Sequence, residues 1–178
     1  MKKALFLDRD GIINTDFGYV HKPADFEFIS GIFDLCRYAQ DMGYHIYIIT
    51  NQAGIARGYY TVEDFHSLTQ WMVAEFKKEN VVISDVYFCP HHPEKGSSEY
   101  VKKCKCRKPE PGMILKAQKE HELDLAHSIF IGDKVSDMQA AEAAGIHNKV
   151  LVESRYHSED FHNAHHVQSI KEAIPYLS

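Results

Sequence analysis

The chain has 178 residues, a length that fits one domain with a hydrophobic core of its own. Hydrophobic residues make up 44% of it and charged residues 25%, as is usual for a globular protein. The net charge of −5 argues against a nucleic-acid binder that uses a broad basic surface. The sequence shows neither a signal peptide nor the roughly 20 apolar residues of a membrane span, so we expect a cytoplasmic protein.

Short apolar runs alternate with stretches of helical periodicity along the chain. The runs predict strands at residues 3–8, 44–50, 84–89, 128–133 and 149–152, and the periodic stretches predict helices at 31–42, 62–79, 112–122 and 136–144. Ser30 and Thr61 suit helix N-caps, and Gly43 and Gly145 suit helix ends. This alternation predicts a single α/β domain over residues 1–178, with a mostly parallel sheet and helices on both faces.

Two long segments interrupt the alternation, at residues 11–29 and 90–111. Loops of this length in a compact domain are usually functional or held in place by something. A histidine-rich stretch at residues 157–166 shows no regular ligand spacing, and we interpret it as solvated surface.

Polar side chains follow three of the predicted strands. Asp8 and Asp10 follow the first, Thr50 ends the second, and Asp133 ends the fourth. A single Asp at a strand end is more often a cap or turn residue, but ligands of open α/β sheets bind beyond the carboxyl ends of strands. Carboxylates this close together repel each other, so a compensating cation is expected. Oxygen ligands of this kind suit Mg²⁺ together with a substrate phosphate.

The order of these motifs resembles that of the haloacid dehalogenase (HAD) superfamily of phosphohydrolases. The resemblance implies a Rossmann-like HAD fold in which Asp8 is the nucleophile and forms an aspartyl-phosphate. Asp10 would protonate the leaving oxygen and then activate water, while Thr50 and Lys108 hold the phosphoryl oxygens. Asp133 would complete a Mg²⁺ site with the Asp8 carboxylate and the Asp10 backbone carbonyl.

The proposed chemistry sets a requirement on Asp10. This carboxyl group must carry a proton when the leaving group departs, so its pKa should be raised. We expect nearby Asp8 and incomplete solvation to raise it.

Close pairs of metal-ligand residues flank the second long loop: Cys89, His91, Cys104 and Cys106. Two such pairs predict a closed tetrahedral structural zinc site, and disulfides are the weaker interpretation in a reducing compartment. His92 rivals His91 as a ligand, because spacing alone hardly separates them. Cys36, inside a predicted helix, is interpreted as a buried small hydrophobe.

Longer motifs resemble the heptose bisphosphate phosphatases within the superfamily. They are DRDGxIN (8–14), GYVH (18–21), TNQxGIARG (50–58), CPHHP (89–93), CxCRKPxPGM (104–113) and GDKxxDMxAA (132–141). The resemblance implies a monomer with a zinc-binding loop at 89–108 and no large cap domain. It also implies an enzyme that removes the 7-phosphate of a heptose bisphosphate, in nucleotide-activated heptose and lipopolysaccharide biosynthesis. The phosphosugar would contact Asp16, Phe17, Gly18, Tyr19, Asn51, Gln52, Ala53, Arg107 and Lys134.

Two alternatives to this function remain open. A histidinol-phosphate phosphatase shares the motifs and the zinc loop but acts on a monophosphate. A non-catalytic phosphosugar-binding protein is the other alternative, although a binder has no need for Asp10 beside Asp8.

Overall fold

A computed structural model describes residues 1–96, 99–154 and 161–178. Its strands form one parallel sheet of six, in the order β3-β2-β1-β4-β5-β6. The strands are β1 (Ala4–Leu7), β2 (His45–Asn51), β3 (Ile83–Cys89), β4 (Ile129–Gly132), β5 (Asn148–Val152) and β6 (His165–Val167). The helices are α1 (Ile32–Asp41), α2 (Val62–Lys78), α3 (Gly112–His121) and α4 (Val135–Ala144), with 3-10 turns at Pro23–Asp25, Leu125–His127 and Ile170–Tyr176.

The parallel α/β prediction is confirmed, and each predicted strand and helix matches an observed one to within one residue at either end. Strand β6 was not predicted. It lies in the histidine-rich stretch, where His165 and His166 are exposed as expected but belong to a strand paired with β5. Three residues of mixed polarity carry too little periodicity to mark a strand, and the pairing with β5 decides the conformation. His157, also in that stretch, lies outside the described residues.

Helices cover both faces of the sheet. In β1 the side chains of Leu5 and Leu7 join the core that includes α1 and α2, while Ala4 and Phe6 join the core that includes α3 and α4. Every residue of β1 is therefore buried, which explains why its sequence is apolar without alternation. Cys36 is fully buried in the first of these cores, as predicted.

The helix ends follow the predicted signals with one exception. Thr61 forms a complete capping box with Asp64, and Gly145 ends α4 in the left-handed conformation. The prediction of Ser30 as an N-cap is wrong, because Gly31, with φ of +92°, occupies that position in α1. A positive φ favours glycine, which has no Cβ to clash with the backbone. Among the described residues, no helix is long and apolar enough to span a membrane.

The strand order places the functional loops together. Strand β1 lies between β2 and β4, so the carboxyl ends of these three strands are adjacent at one edge of the sheet. Asp8, Thr50 and Asp133 therefore meet there although they are far apart in the chain.

The Thr61 cap gives a test of the fold. We expect Thr61→Ala to lower the free energy of unfolding by about 1 kcal/mol, because the side-chain oxygen accepts the Asp64 backbone N–H. Thr61→Ser should retain most of the stability, and Ser67→Ala, at an exposed position inside α2, should cost nothing. Urea denaturation of the three variants measures this, and equal stability of Thr61→Ala and wild type would contradict the role of the cap.

Candidate active site

A buried lysine lies between two carboxylates at the centre of this sheet edge. Lys108 Nζ is 2.9 Å from Asp8 Oδ1 and 2.6 Å from Asp137 Oδ1, and it donates to the Ile49 carbonyl oxygen at 2.9 Å. Burial alone would lower the pKa of Lys108, but Asp137 and Asp8 raise it well above its usual range. The ammonium therefore stays charged and offsets part of the carboxylates' repulsion.

A third carboxylate lies against this group without a donor of its own. Asp133 is buried, and neither of its side-chain oxygens accepts a hydrogen bond from the described residues. Burial and the charge of Asp8 raise the pKa of Asp133 to about 9, and burial and Asp137 raise that of Asp8 to about 6. Ligand oxygens of Asp8, Asp133 and Asp137 lie within 4.8 Å of one another. Three buried carboxylates, of which Asp133 has no donor among the described residues, form an environment that a hard divalent cation fits.

Position 11 must be a glycine because the Asp133 carboxylate lies close to its backbone. A Cβ at Gly11 would lie 2.1 Å from Asp133 Oδ2, and the φ of Gly11 is +94°. Both the space and the backbone conformation therefore exclude a side chain at this position.

Asp10 is held by a separate set of donors. Its Oδ1 accepts from Arg9 at 2.8 Å and from Asn14 at 3.0 Å, and its Oδ2 accepts from Gln52 at 3.2 Å. Burial would raise the pKa of Asp10, but the charge of Arg9 and these hydrogen bonds lower it below the usual value. The expectation of a raised pKa is wrong, because the charge of Arg9 and the three donors together outweigh burial.

Gln52 joins Asp10 to the second strand. Its amide nitrogen also donates to Thr50 Oγ1 at 2.8 Å, and its amide oxygen accepts from the hydroxyl of Tyr60. A carboxylate only accepts hydrogen bonds, so the nitrogen of Gln52 faces Asp10 and the oxygen faces Tyr60. The amide thereby holds the predicted phosphate ligand Thr50 and the predicted acid Asp10 in one arrangement.

A pocket of about 520 Å³ opens beside these residues. It is lined by Asp10 and Lys108, by eight of the predicted substrate contacts (Asp16, Gly18, Tyr19, Asn51, Gln52, Ala53, Arg107 and Lys134), and by Gly54, Tyr60, Pro109 and Ser136. Phe17 does not line it; this side chain is 60% exposed and borders a neighbouring cavity. The side chain of Asn51 bonds to the backbone N–H and C=O of Lys108, at 3.0 and 3.3 Å, which ties the loop before Pro109 to β2.

The predicted zinc ligands form a compact cluster. The Sγ atoms of Cys89, Cys104 and Cys106 lie 3.0 to 3.5 Å apart, and His91 Nδ1 is 3.6 Å from Cys89 and 3.3 Å from Cys106. The cysteines are free thiols. Ligand atoms in a tetrahedral zinc site, with Zn–S of ~2.3 Å, lie roughly 3.8 Å apart, so this cluster fits the ion.

The geometry separates the two candidate histidines. His92 Nδ1 accepts the backbone N–H groups of Glu94 and Lys95, at 3.1 and 2.9 Å, so its ring belongs to the turn that follows it. His91 alone of the two belongs to the cysteine cluster. The backbone N–H of Arg107 donates to Cys104 Sγ at 3.3 Å, which links the cluster directly to the residue before Lys108.

Sequence reasoning missed Asp137 and Arg9 as site residues. Asp137 is the last residue of the GDKxxD motif, and its Oδ2 accepts the backbone N–H groups of Asp133 and Lys134 at 3.1 Å each. The motif spacing could have identified it, since the first turn of α4 brings it back to the end of β4. Arg9 gave a weaker signal, because a residue between two site acids on a strand end would ordinarily face away from them.

Comparisons with known proteins agree with this geometry. A family model described as HAD-hydrolase-like matches residues 105–173. D-glycero-beta-D-manno-heptose-1,7-bisphosphate 7-phosphatase of Vibrio cholerae is 52% identical over 151 residues, which cover 85% of this chain and 81% of that protein. D-glycero-alpha-D-manno-heptose-1,7-bisphosphate 7-phosphatase of Campylobacter jejuni is 50% identical over 159 residues, which cover 89% of this chain and 87% of that protein. The chain belongs to the heptose-1,7-bisphosphate phosphatase family.

Solved structures support the same family. A HAD-like phosphatase from Mesorhizobium loti has a TM-score of 0.88 and 31% identity, covering 99% of this chain and 84% of that one. The D,D-heptose 1,7-bisphosphate phosphatase of B. bronchiseptica, solved with magnesium and phosphate, has a TM-score of 0.82 and 25% identity, covering 98% and 97%. The fold that places the described carboxylates together is thus the fold of the family.

The two neighbouring histidines allow a matched test of the zinc cluster. We expect His91→Asn to lose zinc on dialysis, because an amide is a poor zinc ligand, whereas His92→Asn should retain about one zinc per chain. Asn at position 92 offers an oxygen near the place of Nδ1, so the turn at Glu94 keeps an acceptor. Elemental analysis of both variants measures zinc content, and zinc loss from His92→Asn alone would contradict the assignment.

Proposed function

We propose that this protein is a magnesium-dependent phosphatase that removes the 7-phosphate of D-glycero-D-manno-heptose 1,7-bisphosphate through an aspartyl-phosphate. The observation that carries the proposal is the buried Lys108 ammonium, 2.9 Å from Asp8 Oδ1, at the edge of a pocket large enough for a sugar phosphate. The activity of the family members named above supports the substrate.

In the proposed reaction the carboxylate of Asp8 attacks phosphorus and the bond to the sugar oxygen breaks. The pKa of Asp8, about 6, leaves the carboxylate mostly ionised and nucleophilic at neutral pH. Asp10 gives its proton to the departing oxygen and then takes one from the water that hydrolyses the aspartyl-phosphate. Lys108 and the Thr50 hydroxyl bind the phosphoryl oxygens, where negative charge accumulates in the transition state.

Asp8, Asp133 and the Asp10 backbone carbonyl are the groups we propose to hold Mg²⁺. The buried Asp133 oxygens without donors support this site. When bound, the ion supplies positive charge against the repulsion between the Asp8 carboxylate and the substrate phosphate. Asp137 has a different task, since its oxygens already hold Lys108 Nζ and the start of α4.

The other pocket residues supply recognition in this proposal. Arg107 and Lys134 offer positive charge for the second phosphate, while Asp16, Gly18, Tyr19, Asn51, Gln52 and Ala53 surround the sugar. Phe17 remains a proposed contact at the rim, since its ring is exposed beside Gly18. Zn²⁺ held by the Cys/His cluster is structural, because four protein ligands complete its coordination.

The cellular setting is a separate part of the proposal. Three cysteine thiols in one cluster fit a reducing compartment, which supports a cytoplasmic enzyme. We propose that it acts as a monomer, without nucleic acid or membrane, and that it serves nucleotide-activated heptose biosynthesis for lipopolysaccharide. The substrate class of the related enzymes supports the pathway.

A substrate panel tests the proposed function. Release of phosphate is measured for both heptose 1,7-bisphosphate anomers, fructose 1,6-bisphosphate and histidinol phosphate, with Asp8→Asn as the catalytic control. We expect the highest kcat/KM for a heptose bisphosphate and loss of turnover in Asp8→Asn, whose amide cannot attack phosphorus. A higher kcat/KM for histidinol phosphate would support that alternative, and no turnover of any ester would support a binding protein.

Variants of the zinc loop separate the roles of its residues. Lys108→Ala should lower kcat with zinc content unchanged, because it removes charge stabilisation in the transition state. Arg107→Ala should mainly raise KM and reduce the preference for a bisphosphate over a monophosphate.

Cys106→Ala should lose zinc and reduce kcat by roughly 10²-fold, because a cation misplaced by about 1 Å acts poorly on the phosphoryl group. Kinetic constants and zinc content are measured for each variant. Wild-type kinetics in zinc-free Cys106→Ala would show that the loop does not depend on the metal.

A further inference from the structure

Arg9 is a buried cation that the proposed chemistry does not use. Its side chain is 2% exposed, and it lies between the proposed nucleophile Asp8 and the proposed acid Asp10 in the chain. One terminal guanidinium nitrogen, Nη2, donates both to Asp10 Oδ1 and to the backbone oxygen of Val20, each at 2.8 Å. The guanidinium lies over the ring of Phe26, 5.9 Å from its centroid.

Stability alone does not account for this residue. Placing a guanidinium in the protein interior carries a desolvation cost, and an ion pair often fails to repay it when compared with an apolar residue of the same size. A further desolvation cost arises because the Nε of Arg9 is buried and has no hydrogen-bond partner among the described residues. A second role would explain why the position holds a cation.

The first contact fixes the orientation of the Asp10 carboxylate. Oδ1 accepts from both Arg9 and Asn14, whereas Gln52, which itself lines the pocket, is the one donor to Oδ2 among the described residues. Two donors therefore anchor Oδ1, and Oδ2 is left on the side of Gln52 and the pocket. The orientation of the carboxylate, and with it the direction in which Oδ2 points, depends on the anchor at Oδ1.

The second contact reaches the wall of the pocket. Val20 follows Gly18 and Tyr19, which line the pocket, and Tyr19 has a positive φ of +55°. A left-handed conformation in a tyrosine needs surrounding contacts to hold it. The bond from Arg9 to the Val20 oxygen fixes the backbone immediately after this turn.

We propose that Arg9 is a positioning residue with two targets: it aims Oδ2 of Asp10 at the leaving oxygen, and it holds residues 18–20 in place around the sugar. The inference rests on the proposed function, since it takes Asp10 as the acid and base. It predicts that the two contacts of Arg9 affect different kinetic constants, kcat through Asp10 and KM through Val20.

A double-mutant cycle of Arg9→Met and Asp10→Asn tests the proposal, with kcat and KM measured on the preferred heptose bisphosphate. We expect Arg9→Met to lower kcat by roughly 10²-fold, the scale of a misplaced catalytic group, and to raise KM several-fold. In the Asp10→Asn background the same change should lower kcat by less than about threefold, because the group that Arg9 aims is already gone. The rise in KM should persist, since Val20 is unaffected.

Controls keep the outcomes distinct. Arg37→Met removes a partly exposed arginine from α1 and should leave both constants unchanged. If Arg9→Met does not fold, Arg9→Lys serves instead, because one ammonium retains the charge but cannot reproduce the guanidinium geometry.

Equal losses of kcat in both backgrounds would overturn the proposal. Unchanged turnover in Asp10→Asn alone would instead overturn the role of Asp10, and no turnover of the bisphosphate by wild type would overturn the proposed function.

Discussion

The buried ion pairs of Lys108 are the constraint on which the site depends. They join three separate parts of the chain: the end of β1 at Asp8, the zinc loop at Lys108, and the first turn of α4 at Asp137. Without this ammonium, three carboxylates would be buried together and two of them would lose their ion-pair partner: Asp8, Asp133 and Asp137. Burying an unpaired ion costs several kcal/mol. Lys108 therefore supports the geometry of this edge in addition to its proposed role in binding phosphate.

A long loop can place a lysine this accurately only if its backbone is held. The Cys/His cluster holds one side, through the bond from the Arg107 N–H to Cys104 Sγ, and Asn51 holds the other, through both backbone groups of Lys108. Gly96 adds a third contact, because its Cα approaches the backbone of Ala56 too closely for any Cβ. The Cys/His cluster and the pocket-lining residues Arg107 and Lys108 are thus one mechanical unit, which gives a reason for a structural metal site to lie beside the proposed catalytic site.

Much of this arrangement could be predicted from the sequence, because it depends on short-range signals. Strands ending in Asp8, Thr50 and Asp133 must meet once the sheet is parallel and β1 is central. What could not be predicted depends on where side chains point after folding. Spacing to the cysteines hardly separates His91 from His92; the contact of His91 with Cys89 and the place of His92 in the turn at Glu94 do so. The expectation of a raised pKa for Asp10 was wrong for the same reason: the side chains of Arg9 and Asn14 are near in the chain but turn toward Asp10 only in the fold, and Gln52 joins them from 42 residues away.

The two acids of the site differ in charge environment although they are two residues apart. Burial and Asp137 raise the pKa of Asp8, whereas Arg9 and three hydrogen bonds lower that of Asp10. Neighbouring carboxyl groups with opposite shifts are typical of sites in which they perform different chemistry. The lowered pKa keeps Asp10 ionised, and a bound phosphate adds negative charge that raises the pKa toward the value an acid needs in the first half of the reaction. Once Asp10 has given up its proton it is a carboxylate, which is the form that accepts a proton from water in the second half.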